Sequence, residues 1–135
     1  MSDRDNIHTV WLVEDAELLR STLQAVIDAE SDFECPVAVR SCEDFLAALD
    51  TESPPHLAIV DIGLPGLSGL EAIRRLRSLS PASRALVLSD AQWKHLTEHV
   101  TRQKAGGGYE FVYDPGIAEP FRKAMDGEDV ILWPL

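Results

Sequence analysis

Leu57-Ala58-Ile59-Val60 is a short apolar run that ends on one acid, Asp61, and passes at once into Gly63, Pro65 and Gly66. A bounded apolar run of this length reads as a strand buried on both faces, the kind found in parallel sheets. The arrangement recurs twice. Thr9-Val10-Trp11-Leu12-Val13 stops at Glu14-Asp15, and Ala85-Leu86-Val87-Leu88 stops at Ser89-Asp90. Ligands of open α/β sheets bind at the carboxyl ends of the strands, so these three ends carry candidate reacting groups. A strand-ending Asp that merely turns the chain is the plain alternative for any one of them.

Helical patterns fill the intervals. Leu19, Leu23, Val26 and Ile27 recur at helical spacing after the first strand. Val37-Ala38-Val39 predicts a second strand, and Ser41 with Asp44 three residues on predicts a helix-starting cap before Phe45, Leu46 and Leu49. Thr51-Glu52-Ser53-Pro54-Pro55 ends that helix. From Gly69, a third helix carries Leu70, Ile73 and Leu76 on one face, with Arg74, Arg75 and Arg77 largely elsewhere. A fourth is predicted from about Ala91 to Lys104, broken by Gly106-Gly107-Gly108. Tyr109 to Tyr113 has the β-branched and aromatic content of a fifth strand, Asp114-Pro115-Gly116 makes a turn, and Pro120 suits the first turn of a last helix closing before Gly127. Strands and helices in alternation predict a doubly wound, five-stranded parallel sheet with right-handed crossovers and helices on both faces.

With 135 residues, 45% of them hydrophobic, the chain is expected to form a single domain over residues 1–135, of which 128–135 is a tail. The formal net charge of −11 repels a phosphate backbone, and the basic residues do not cluster, so no nucleic-acid contact by this chain is expected. Cys35 and Cys42 form no metal-ligand or disulfide framework and suit a reduced compartment. No apolar stretch approaches the roughly 18 residues that a membrane span needs, and the polar start lacks a signal-peptide layout. A soluble, cytoplasmic protein is expected.

In a doubly wound sheet the first and third strands can be neighbours, which would bring Glu14, Asp15 and Asp61 together. Carboxylates so close raise one another's pKa or recruit a cation, and hard oxygen ligands suit Mg²⁺. A loose acidic patch without an ion is the alternative. The hydroxyl of Ser89, at the next strand end, is suited to bond a phosphoryl oxygen.

With Val10 to Asp15, the loop Asp61-Ile62-Gly63-Leu64-Pro65-Gly66-Leu67-Ser68-Gly69 and Ala85 to Ser89 in place, the chain resembles the receiver domain of bacterial two-component response regulators over nearly its full length. The resemblance implies a flavodoxin-like (βα)₅ fold. It implies that Asp61 accepts a phosphoryl group from a sensor histidine kinase or phosphotransfer protein, without turnover of an external substrate. Mg²⁺ would be bound by Asp15, Asp61, the Gly63 carbonyl and, directly or through water, Glu14, and Ser89 would move to bond the phosphoryl group. Pro65 and Gly69 would shape the loop. The tail looks like the end of receivers that lead into helix-turn-helix output domains, which points to transcription regulation in a longer protein, and a homodimer is a further candidate assembly.

The fifth strand departs from the family pattern. Without gaps, Tyr113 stands where the family has a Lys that pairs with the phosphoryl group, and Glu110 stands at the aromatic switch position. Sliding by one residue restores Tyr109 as the aromatic but puts Val112 at the Lys. A charge-assisted hydrogen bond is worth about 1.5–3 kcal/mol, so the switched state is weakened roughly ten- to hundredfold without compensation. Asp90 adds a negative charge nearby. Two other functions therefore compete: a phosphorylation-independent interaction module that dimerises constitutively, and an aspartyl-nucleophile phosphatase, whose usual second acid is replaced by Gly63. His95 and His99, four apart, lack an evident third ligand and read as part of an amphipathic helix.

Overall fold

The computed structural model describes residues 7–61, 69–89, 91–93, 101–103, 105–107, 109–111 and 121–122. Strands β1 (His8–Val13), β2 (Phe33–Val39), β3 (Leu57–Asp61) and β4 (Arg84–Leu88) alternate with helices α1 (Glu17–Asp28), α2 (Cys42–Thr51) and α3 (Gly69–Leu79). The four strands form one parallel sheet in the order β2-β1-β3-β4. This is the doubly wound arrangement expected of the alternation, with the order reversing between β1 and β3.

Each central strand feeds two cores. Val10 and Leu12 of β1 and Leu57 and Ile59 of β3 pack with Leu23, Val26 and Ile27 of α1, together with Leu88, Trp93 and Phe121. Trp11, Val13, Ala58 and Val60 pack on the other face with Phe45 and Leu49 of α2 and Ala72 and Leu76 of α3. Period-two alternation thus divides one apolar run between two helical layers. Ser41 caps α2 as expected, its Oγ accepting the Asp44 N–H at 3.1 Å. Among the residues assigned to the apolar face of α3, Leu70 is 58% exposed, whereas Ala72 and Leu76 are buried and Ile73 packs against them. The helix therefore seats one position round from the expected stripe.

β2 begins four residues before the predicted Val37. Pro36 interrupts the apolar pattern and has no N–H to give the ladder, and the pairing slips there: Thr9 faces Glu34 but Trp11 faces Val37. An outer strand of the sheet tolerates such a gap.

The largest departure follows β4. Residues 91–93 are helical, but Thr101–Gln103, expected within the helix over 91–104, is a strand, β5. It pairs antiparallel with β6 (Tyr109–Phe111), so the predicted fifth strand is a hairpin arm and not a fifth parallel strand over its described part. With Gln103 opposite Tyr109, residues 105–107 lie in the connection, and Gly107 takes φ +95° there. A glycine run supplies the left-handed residue of a hairpin as readily as it stops a helix. Val112, Tyr113, the turn at Asp114-Pro115-Gly116, Pro120 and the tail lie outside the described residues, as do His95 and His99.

Residues 121 and 122 are helical. Phe121 enters the core beside α1, while Arg122 binds Asp32 through Nε (2.8 Å) and Nη2 (2.9 Å) and Glu30 through Nη2 (2.7 Å). Its guanidinium also stacks over Phe33, 5.4 Å from the ring centroid. No described helix is long and apolar enough to cross a membrane.

Candidate functional site

The sheet register brings the acids together. Val13 pairs with Val60, so Glu14 and Asp61 are the next residues on adjacent parallel strands, and both continue the parity that faces the α1 side. Asp15 follows in the turn into α1. One carboxyl oxygen from each of Glu14, Asp15 and Asp61 lies within 4.8 Å of the others. Glu14 and Asp61 are each 2% exposed, whereas Asp15 is exposed.

Glu14 is held from both ends. Its Oε1 accepts the Ala16 N–H at 3.0 Å, a bond that satisfies the start of α1 where Ala16 offers no side-chain cap. Arg20, one turn into α1, donates from Nη1 to the Glu14 carbonyl at 2.8 Å and reaches the Asp15 carbonyl at 3.5 Å. The cation therefore fixes the backbone of the turn. Glu14 Oε2 is buried without a hydrogen-bond partner. Burial, followed by the neighbouring Asp61 carboxyl, pushes the Glu14 pKa up to about 8.

A buried, orphaned carboxylate oxygen beside two further carboxyls is a donor set for a hard divalent cation. Oxygen-only ligands with one open, exposed side suit Mg²⁺, which keeps part of its water shell, better than Zn²⁺. The three predicted acidic ligands thus meet. Gly63 lies outside the described residues; Gly69, at the start of α3, is explained by packing, since a Cβ there would stand 3.1 Å from Val60 Cγ1.

Ser89 follows Leu88, the β4 partner of Asp61, and so reaches the same edge. It begins a helical turn: its N–H donates to Gln92 Oε1 at 2.9 Å and its Oγ accepts the Gln92 N–H at 3.3 Å. The local signal of this capping box is Ser89-x-x-Gln92, which reading Ser89 as a phosphoryl partner alone leaves unused. Arg20 had no such signal. Of the altered Lys and aromatic positions, Tyr113 lies outside the described residues and Glu110 is in β6, paired with Arg102. A cavity of about 350 Å³ lined by Leu46, Asp50, Glu71 and Arg75 includes none of the three acids.

The family model for the response regulator receiver domain matches residues 10–111. The transcriptional regulatory protein CreB of Escherichia coli is 36% identical over 115 residues, covering 84% of this chain and 44% of that protein. A protein-glutamate methylesterase/protein-glutamine glutaminase of Paramagnetospirillum magneticum is 33% identical over 97 residues, covering 72% of this chain and 27% of that protein. The chain thus spans less than half the length of these curated relatives. Among solved structures, the response regulator receiver domain of Methylobacillus flagellatus superposes with a TM-score of 0.60 at 20% identity, over 88% of this chain and 98% of that one.

Proposed function

The chain belongs to the response regulator receiver domain family, and from that premise we propose that Asp61 is its phosphoacceptor, served by a Mg²⁺ site on Glu14, Asp15 and Asp61. The observation that carries this reading is the convergence of the three carboxyls within 4.8 Å, with Glu14 Oε2 buried and unpartnered.

In this reading a carboxylate oxygen of Asp61 attacks the phosphorus of a phosphohistidine on a sensor kinase or phosphotransfer protein. The P–N bond breaks as the P–O bond forms, and the departing imidazole nitrogen takes up a proton from water. Asp61 is a nucleophile rather than a general base. Mg²⁺, when bound, would supply the positive charge that offsets the repulsion of the carboxylates for the phosphoryl oxygens. Glu14, Asp15 and Asp61 would hold it, joined by the Gly63 carbonyl on the family resemblance. The Arg20 bond to the Glu14 carbonyl keeps the acidic turn in place, and burial of the inner wall by Val10, Leu12 and Ile59 excludes water from behind the nucleophile.

The Ser89 hydroxyl would accept the role of phosphoryl partner, and a changed protein-contact surface would be the output. Transcription regulation through an output domain in a longer protein, as the name of the CreB relative suggests, belongs to this reading, as do a homodimer and a cytoplasmic location. Incubation with Mg²⁺ and a small acyl phosphate, followed by intact mass of the wild type and Asp61→Asn, tests it. A mass gain confined to the wild type is expected; no gain in either protein would refute the acceptor and favour a phosphorylation-independent interaction module.

A further inference from the structure

The polar groups of Ser89 are engaged by two neighbours, Gln92 and Trp93. Its N–H is taken by the Gln92 side chain at 2.9 Å, its Oγ by the Gln92 N–H at 3.3 Å, and its carbonyl accepts the N–H of Trp93 at 3.0 Å. Trp93 is 1% exposed and packs in the core that also holds Leu88 and Phe121. Ser89 is therefore tied to the start of a helical turn by Gln92 and by the backbone N–H of Trp93, whose ring is buried.

We propose that Gln92 is a positioning residue that latches Ser89 in its capping conformation, so that the Ser89 hydroxyl can bond a phosphoryl group on Asp61 only by opening the reciprocal box. The inference rests on the phosphoryl-acceptor reading above. Ser89 has a single side-chain torsion with three staggered positions. In the phosphoryl-bonded state of this proposal both halves of the box part, the bond from the Gln92 N–H to Oγ at 3.3 Å being the longer and weaker of the two. The shorter half, from the Ser89 N–H to Gln92 Oε1, holds the backbone on which the capping rotamer depends. Truncating the Gln92 side chain raises the energy of the resting state and leaves the phosphoryl-bonded state, which lacks the box, unaffected. One capping interaction corresponds to about a fivefold change in such an equilibrium.

The test uses beryllofluoride with Mg²⁺ as the phosphoryl mimic, titrated into the full chain and followed by the NMR signals of the Ser89 amide and the Trp93 indole. Gln92→Ala is expected to bind the mimic about fivefold more tightly than the wild type while unfolding at lower urea, a pairing that a merely structural role would not give. Gln92→Glu, which can accept the same N–H, is expected to return the affinity toward the wild-type value. In a Ser89→Ala background the Gln92→Ala effect is expected to vanish. Equal or weaker binding by Gln92→Ala, or the same tightening without the Ser89 hydroxyl, would overturn the latch while leaving the acceptor intact. Absence of any Asp61-dependent binding by the wild type would overturn the acceptor reading, and the latch with it.

Discussion

Glu14→Gln is expected to stabilise the metal-free protein. The Glu14 pKa stands at about 8 in the folded chain against an ordinary value of 4.5, raised first by burial and then by Asp61. Between these values the folded state keeps a proton that the unfolded chain releases, so stability falls as pH rises from about 4.5 to about 8 and is level above that. At about 1.4 kcal/mol per pH unit, the stability forgone at neutral pH is about 3 kcal/mol. The amide retains an oxygen for the Ala16 N–H and places a donor where Oε2 has no partner. A buried amide carries its own desolvation cost, which leaves a recovered part of about 2 kcal/mol, equivalent to roughly 6–10 °C in Tm for a domain of this size.

Urea unfolding followed by tryptophan fluorescence, in chelator and across about pH 5 to about pH 8, measures this directly. The wild type should lose stability with rising pH through that window while Glu14→Gln stays nearly level. Excess Mg²⁺ should reverse the order, because the cation replaces a proton on the wild-type carboxyl and finds one ligand fewer on the variant. A metal-free variant no more stable than the wild type at neutral pH, or parallel pH curves, would refute the raised Glu14 pKa.

Three further substitutions test the frame around the site. Arg122→Ala removes a two-nitrogen contact to Asp32 and the bond to Glu30; at 31% exposure of the arginine side chain the loss should be about 1–2 kcal/mol by chemical denaturation. Because Arg122 holds the Asp32 pKa low, that contribution is present above about pH 4 and lost as the pH falls through the folded value, so wild type and variant should converge in acid. Phe45→Ala empties a fully buried site and removes the edge-on partner of Trp11, at a centroid distance of 5.4 Å; a cost of about 3–5 kcal/mol and a changed Trp11 emission are expected. His56 Nδ1 accepts the Thr9 N–H at 2.9 Å, and burial, then the adjacent His8, lowers its pKa from 6.5. Its contribution is therefore present above about pH 6.5 and declines below it, and His56→Ala should remove that acid-side slope from the unfolding curve.

The site was more legible than the ground behind it. Asp61 and the Glu14-Asp15 pair are legible because a short, bounded apolar run ending on an acid reads as a buried strand delivering that acid to an edge, and parity then settles which face it takes. The Ser41 cap was equally local, a matter of one side chain and the N–H three residues on. The segment after Ser89 was not. Trp93, Leu96 and Val100 keep a helical period, yet Thr101–Gln103 is held by pairing with Tyr109–Phe111, a contact across the glycine connection that no local period encodes. Arg20 and Arg122 escaped for the same reason: each acts on a carbonyl or carboxylate brought near only by the completed fold.

The acids are confined by the packing that holds the sheet. Along β1, Val10 and Leu12 enter the α1-side core, and along β3, Leu57 and Ile59 do so; the next residues of that parity are Glu14 and Asp61. Slipping one strand by a residue would part the two carboxyls, but it would also exchange the faces of Leu12 and Trp11, sending each into the wrong helical layer. The register that buries four large side chains therefore imposes the carboxyl repulsion, and nothing among the described residues supplies a cation to Glu14 Oε2, since Arg20 reaches only main-chain oxygens. Relief must come from a proton or from a cation bound at the edge. Stability without metal and affinity for metal are then set by the same carboxyl in opposite senses, and a substitution at Glu14 that improved both would show that the three acids do not repel one another.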